Sequence, residues 1–219
     1  MDYGHELEFG TFLTPVNDPP EAAVARAQLS EQLGFDLVTF QDHPYQSGFH
    51  DTWTLLTWVA AQTERIRLAG NVLNVPMRPA PVLARASASL DLLSGGRFEL
   101  GLGAGGFWDA MAGMGVTRRT PGESVEQLGE AIDVMRELWR AGDRAATKYD
   151  GKYYQLKGAK RGAAAGARHP DLGGRLQAAD AAAGGGEGGR MAALTVVPQA
   201  RRPRAGQRHH RCGGQGGGS

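Results

Sequence analysis

Four short apolar runs recur at a near-constant interval, and nothing else in the chain restricts its fold so strongly. They begin near residues 8, 36, 66 and 97, roughly 30 residues apart, the length of one strand–helix–strand unit. Between them the apolar residues repeat at helical spacing. Strands alternating with helices predict the α/β class, a parallel sheet covered by helices.

Taken in order, Glu8 to Leu13 (EFGTFL) reads as the first strand, and Pro19-Pro20 opens a helix with the stripe Ala22, Ala25, Leu29 and Leu33. Phe35 to Phe40 is the second strand, with Gln41-Asp42-His43-Pro44-Tyr45 as its exit. Asp51 or Thr52 caps a helix carrying Leu55, Trp58, Val59 and Gln62, and Ile66 to Val72 is the third strand. Leu83, Ala86, Leu90 and Leu93 mark a third helix, which Ser94-Gly95-Gly96 stops by offering the left-handed conformation. Phe98, Leu100 and Leu102 alternate as a fourth strand. A loop from Asp109 to Arg119 follows, with Met111 and Met114 packed beneath it or touching substrate. Thr120-Pro121-Gly122-Glu123 is a capping-box helix start, with Val125, Leu128, Ile132, Met135 and Trp139 on the buried face. Tyr149 to Tyr154 reads as a hairpin turning at Asp150-Gly151.

The fourth strand ends in bare backbone at Gly101, Gly103, Gly105 and Gly106. Ligands of parallel α/β folds sit at the C-terminal ends of strands. The spacing Gly101-x-Gly103-x-x-Gly106 also fits a dinucleotide fingerprint, but that motif needs a helix starting among the glycines and an acid about 20 residues later at a strand end. Here Phe107-Trp108-Asp109 leads into a loop, and Glu123 falls in a helix start.

The totals exclude some classes. Net charge is +1 with 21% charged residues, which speaks against a nucleic-acid partner. Cys212 is the single cysteine, so no internal disulfide forms. No ligand spacing suggests a metal. The N-terminus lacks a signal-peptide pattern and no apolar run approaches a membrane span, so the expectation is a cytoplasmic protein off the membrane. The charge is uneven, however: residues 163–219 carry eight Arg, no Lys and three acids. All sixteen aromatic residues lie at or before Tyr154, so this C-terminal segment has none to build a core with. Such an Ala/Gly/Arg composition predicts a disordered tail, and its arginines could attract acidic partners electrostatically.

Residues 8–160 resemble the luciferase-like (bacterial luciferase-type) flavin-dependent oxidoreductases, a TIM-barrel family. The most specific match is D-x-L-S-x-G-R-x-x-x-G-x-G, present as Asp91, Leu93, Ser94, Gly96, Arg97, Gly101 and Gly103. FGTFLTP, GFDLVTFQDHPY, RIRLAGNVLNVPMRPAPVLA, TPGE and YDGKYYQLKGA support it in the same order. The resemblance implies a (βα)8 barrel of which residues 1–162 encode about the first four units. It implies FMN or a deazaflavin coenzyme (F-420 type), oxidoreductase or monooxygenase chemistry and a small-molecule substrate. His43 is then the catalytic residue near the ring, with Asp42 beside it. Asn71 and Val72 match a non-proline cis bond pressed against the ring's far face. Gly103, Ala104, Gly105, Gly106 and Phe107 match the segment whose backbone approaches the cofactor's side chain and phosphate, where missing side chains let amide N–H groups reach an anion. Sugar-phosphate dehydrogenases of the family carry an acid where this chain has Gly106, which argues against that activity.

The family's next element is a strand reading like IPIWVGA, and it is absent in frame. One legal codon string for His169 to Ala182, read from its second base, gives IPIWVGAYKPRML. Residues 163–219 are therefore read as a frameshift product. The alternative to an active enzyme is an inactive, truncated half-barrel, which a homodimer would partly cover.

Overall fold

The computed structural model describes residues 7–140, 145–162 and 193–194. The first strand–helix units appear as expected. Strand β1 (Gly10–Leu13) leads to helix α1 (Ala22–Gln32), β2 (Leu37–Phe40) to α2 (Thr52–Gln62), and β3 (Arg67–Gly70) to α3 (Ala80–Leu93). A short strand β4 (Leu73–Asn74) and a 3₁₀ turn (Val75–Met77) intervene before α3. Then come β5 (Phe98–Glu99), β6 (Leu102–Gly103), α4 (Trp108–Gly113) and α5 (Pro121–Trp139). A hairpin, β7 (Thr147–Asp150) with β8 (Gln155–Ala159), follows, and β9 (Ala193–Leu194) is the last described element.

The sheet β1-β2-β3-β5 is parallel throughout, and its spatial order is its chain order. A doubly wound sheet reverses its order at a switch point; a barrel wall does not. The architecture is therefore that of a (βα)8 barrel wall, and the described strands do not close it. A second small sheet, β4-β6-β9, continues the wall at the C-terminal ends. The expected third and fourth strands are thus each split. Leu73 N donates to Gly101 O across the gap, and the Asn71–Val72 peptide bond at the first break is cis.

The core forms between sheet and helices. Val38, Leu68 and Phe98 join Leu56 and Val59 of α2 and Leu83 of α3, with Trp53 edge-on to Phe98 at 5.4 Å. Arg97 explains why the S-G-G-R run is so constrained. Its guanidinium donates to Ala60 O at 2.6 Å, Ile66 O at 3.1 Å and Thr63 Oγ1 at 3.0 Å, and its Nε donates to Ser94 O. It satisfies the carbonyls left unpaired at the ends of α2 and α3. Gly95 and Gly96 take the left-handed conformation expected of the α3 stop.

Several helix faces differ from the sequence expectation. Helix α1 buries Ala23, Ala27 and Ser30, while Leu29 and Leu33 are exposed. The contact between Thr11 Oγ1 and Ser30 Oγ (2.9 Å) shows small residues seating this helix close against β1. In α2, Leu56 and Ala60 are buried and Trp58 is exposed; Gln62 is exposed too. Leu93, the last residue of α3, and Val125, in the second turn of α5, are likewise exposed. The segment expected as a loop after Phe107 begins with α4, whose Met111 is fully buried while Met114 is exposed. The capping box at Thr120 and Glu123 forms as expected. The hairpin forms too, but its turn is not Asp150-Gly151: Asp150 pairs with Gln155 inside the strands, and the chain reverses over the four residues Gly151 to Tyr154, closed by Gly151 N donating to Tyr154 O at 2.9 Å. Most of the segment read as a tail lies outside the described residues. Within it, Ala193–Leu194 pairs antiparallel with Leu102–Gly103, which the tail reading did not anticipate. An unpaired strand edge such as that of β6 readily takes another strand. No described helix is long and apolar enough to cross a membrane.

Candidate cofactor site

The C-terminal ends of β2, β4 and β6 open on one recess. It is lined by Asp42, His43, Tyr45, Val72, Asn74 and the run Gly103 to Phe107. Of the expected site residues, only Asn71 lies elsewhere. It faces the open inner side of the sheet beside Thr39 and Ala69, and its N–H donates to Phe40 O at 2.7 Å.

Asp42 does not point its carboxylate freely into the recess. Its side chain has no exposed surface, and its oxygens accept from Asn74 N, Arg78 Nε and Arg78 Nη2 at 2.7–2.9 Å. Arg78 Nη2 also donates to Asp51 Oδ2 at 2.7 Å. Burial alone would pull the Arg78 guanidinium down, but its hydrogen bonds and charge pairing with Asp42 and Asp51 outweigh it and raise it. Asp51 caps α2 by accepting from Thr54 N at 2.9 Å.

His43 stands in an aromatic frame. Tyr45 stacks on it at 5.4 Å, Phe49 at 6.5 Å, and Phe107 meets it edge-on at 5.2 Å. Burial lowers its pKa, with the Asp42 charge acting in the opposite sense. Burial, reinforced by Asp42, pushes the Tyr45 phenol up to about 12. The histidine is therefore neutral at neutral pH, and the tyrosine keeps its proton.

Two buried polar atoms in this recess, Tyr45 Oη and Asn74 Oδ1, have no hydrogen-bond partner among the described residues. Buried polar groups are rarely left so, and each is available to a ligand. The backbone also leaves room. A Cβ at Gly103 would collide with Val72 Cγ2, and Gly105 has φ +86° with Met111 Cε 3.1 Å from its missing Cβ. No described residue accepts a hydrogen bond from the amides of Gly105, Gly106 or Phe107. The recess thus combines a neutral imidazole, a phenol, an amide oxygen and bare main-chain donors.

Sequence reasoning missed Tyr45, Asn74 and Arg78. Tyr45 was visible only as a member of the exit loop. Asn74 and Arg78 enter through contacts to Asp42 across 32 and 36 residues, which no local pattern signals. Among the described residues, no three His, Cys, Asp or Glu side chains gather as metal ligands.

The luciferase-like monooxygenase family matches residues 7–197. The chain is 37% identical over 163 residues to the F420-dependent glucose-6-phosphate dehydrogenase of Nocardia farcinica (strain IFM 10152), covering 70% of this chain and 47% of that protein. The enzyme of the same name from Mycolicibacterium smegmatis is 35% identical over 162 residues, with the same coverage. Among solved structures, an F420-dependent secondary alcohol dehydrogenase in complex with an F420-acetone adduct superposes with a TM-score of 0.64 at 23% identity, over 71% of this chain and 48% of that one. The oxygenating constituent of 3,6-diketocamphane monooxygenase from Pseudomonas putida, in complex with FMN, gives 0.58 at 23% identity, over 68% and 43%. These two structures share the fold. The chain spans about half the length of the curated relatives it matches. The motif order, the parallel wall in chain order and the family match agree: this chain belongs to the luciferase-like monooxygenase family.

Proposed function

We propose that this chain carries the cofactor-binding wall of a luciferase-like oxidoreductase acting on a small organic substrate with a deazaflavin coenzyme or FMN. The observation that carries the reading is the recess itself, where His43, Val72 and Gly103 to Phe107 meet two unpartnered polar atoms. Deazaflavin is favoured, because Asp42-His43 matches the pair in relatives that use it and the two dehydrogenases described above are named for that coenzyme. When bound, the coenzyme supplies hydride transfer; FMN in its place would supply oxygen chemistry. The chain's own residues do the rest. His43, neutral, takes a proton from a substrate oxygen or returns one. Tyr45 keeps its proton and donates a hydrogen bond to the same region. Phe107 packs edge-on to His43 and helps fix the orientation of the imidazole. Gly103 to Phe107 present main-chain N–H groups to the coenzyme's tail.

The substrate class is narrowed by what the recess lacks. Asp42 is the single carboxylate among its lining residues, and Arg78 occupies it. With Gly106 in place of an acid, an alcohol or carbonyl compound suits the site better than a sugar phosphate, even though similar relatives act on one by name.

A second reading is favoured by the open wall. As written, the chain is an inactive half-barrel, and residues 163–219 are an out-of-frame product of a longer coding sequence. A cytoplasmic location and a homodimer that covers the open face belong to the same reading. Fluorescence titration with the deazaflavin coenzyme and with FMN separates the two readings. The chain as written is expected to bind weakly, and a frame-restored version to bind one coenzyme per chain. Failure of the frame-restored version to bind either one sinks the redox reading. Sequencing the gene across the Arg161–His169 codons tests the frame, and early stops in the shifted frame would discard it.

A further inference from the structure

Asp42 is a carboxylate with no exposed side-chain surface at the edge of the recess. A charge so placed is costly unless it is paired and hydrogen-bonded. Arg78 meets it with two nitrogens, Nε to Oδ2 at 2.8 Å and Nη2 to Oδ1 at 2.7 Å. Two parallel bonds fix angle as well as distance. Oδ2 also takes the Asn74 amide at 2.9 Å, and Arg78 Nη2 continues to Asp51 at 2.7 Å. One guanidinium therefore joins the β2 exit, the head of α2 and the turn after β4. His43 follows Asp42 directly in the chain. The titratable and charged groups around it are Asp42 and Tyr45 on its own loop, Asp51 at the head of α2 and Arg78 beyond β4. Phe107, before α4, adds an uncharged ring.

We propose that Arg78 is a positioning residue that locks the β2 exit to the β4 exit through Asp42 and offsets the carboxylate charge beside His43. The clamp stands on its geometry, and its bearing on catalysis rests on the role of His43 given above. The electrostatics agree in sign. Burial lowers the His43 pKa and Asp42 opposes that effect. Removing the arginine leaves the carboxylate uncompensated, so the opposing effect grows.

The test is the His43 titration in the full, cofactor-free chain, followed by NMR of the imidazole C–H signals and assigned with His43→Gln. Arg78→Met is expected to move the midpoint up. Arg78→Lys keeps the charge and holds the midpoint near that of the parent chain. Asp42→Asn moves it down, and the double variant Asp42→Asn with Arg78→Met brings it back toward the parent value. An Arg78→Met midpoint that stays put or falls overturns the proposal. If that variant does not fold, the nearly isosteric Asp42→Asn decides alone: a midpoint that does not fall overturns it equally. Coenzyme titration leaves this result untouched, so loss of the redox reading and loss of the clamp are told apart.

Discussion

A methyl group added at Gly103 would collide with Val72 Cγ2, the side chain just past the cis bond. The neighbour is the branch of a stiff β-branched residue that is itself buried, so it cannot swing aside. Gly103→Ala is therefore expected to cost about 1–3 kcal/mol of stability, the usual penalty for overpacking, and to distort the recess. Denaturant midpoints check the first effect and coenzyme titration of the frame-restored chain the second. An unchanged midpoint would show that Val72 yields after all. At this scale the glycine spacing and the Asp42-His43 dipeptide were legible in the sequence. The partner of Asp42 was not, because Arg78, which holds both its carboxylate oxygens, lies 36 residues away in sequence.

Helix α5 shows how far one element follows local rules. Thr120 and Glu123 exchange hydrogen bonds at its start, Thr120 Oγ1 accepting from Glu123 N at 3.3 Å and Glu123 Oε2 accepting from Thr120 N at 2.9 Å. Other contacts of this helix reach across the sequence. Glu130 accepts from the backbone N–H groups of Lys152, Tyr153 and Tyr154, pinning the β7–β8 turn to the helix. Thr120→Ala is expected to cost about 1 kcal/mol. Gly129, exposed within the helix with open space where a Cβ would be, is expected to gain about 0.5–1 kcal/mol as Gly129→Ala. Thermal or urea unfolding of the two variants reads both signs, and equal shifts in one direction would contradict the account. Capping chemistry is local, which is why the start of this helix was readable in advance, whereas the hairpin turn lies past Asp150, at Gly151 to Tyr154, where Glu130 of the helix holds it. The buried face was read less well. Val125 sits in the first turns and is exposed, while Val134 and Leu138 deeper in the helix are buried. Only the partner elements choose the face.

Taken together, the described residues form a barrel wall whose inner face none of them covers. Phe9 and Phe12 are 63% and 59% exposed, and β1 pairs on one side only among the described residues. On the inner face Arg67 pairs with Glu8 and Glu99, an ionic cluster that a closed barrel would enclose. Parallel sheets are ordinarily covered on both faces. The chain is accordingly expected to self-associate with rising concentration, and Phe12→Lys to shift it toward monomer. Light scattering behind a sizing column measures both, and a monomer at every concentration would mean that the face is covered from within the chain.

The sequence by itself determined the class of fold, the order of strands and helices, and the bare glycine-rich exit of the fourth strand. Those properties depend on period, capping and glycine placement, all of which act within a few residues along the chain. Only the tertiary structure decided which helix faces are buried and which residues complete the recess. Tyr45 and Asn74 became site candidates because folding buries their oxygens without partners, and Arg78 because folding brings it to Asp42. Burial and long-range pairing depend on what packs opposite a residue, and that is set by the assembled sheet, not by the residue's neighbours in sequence.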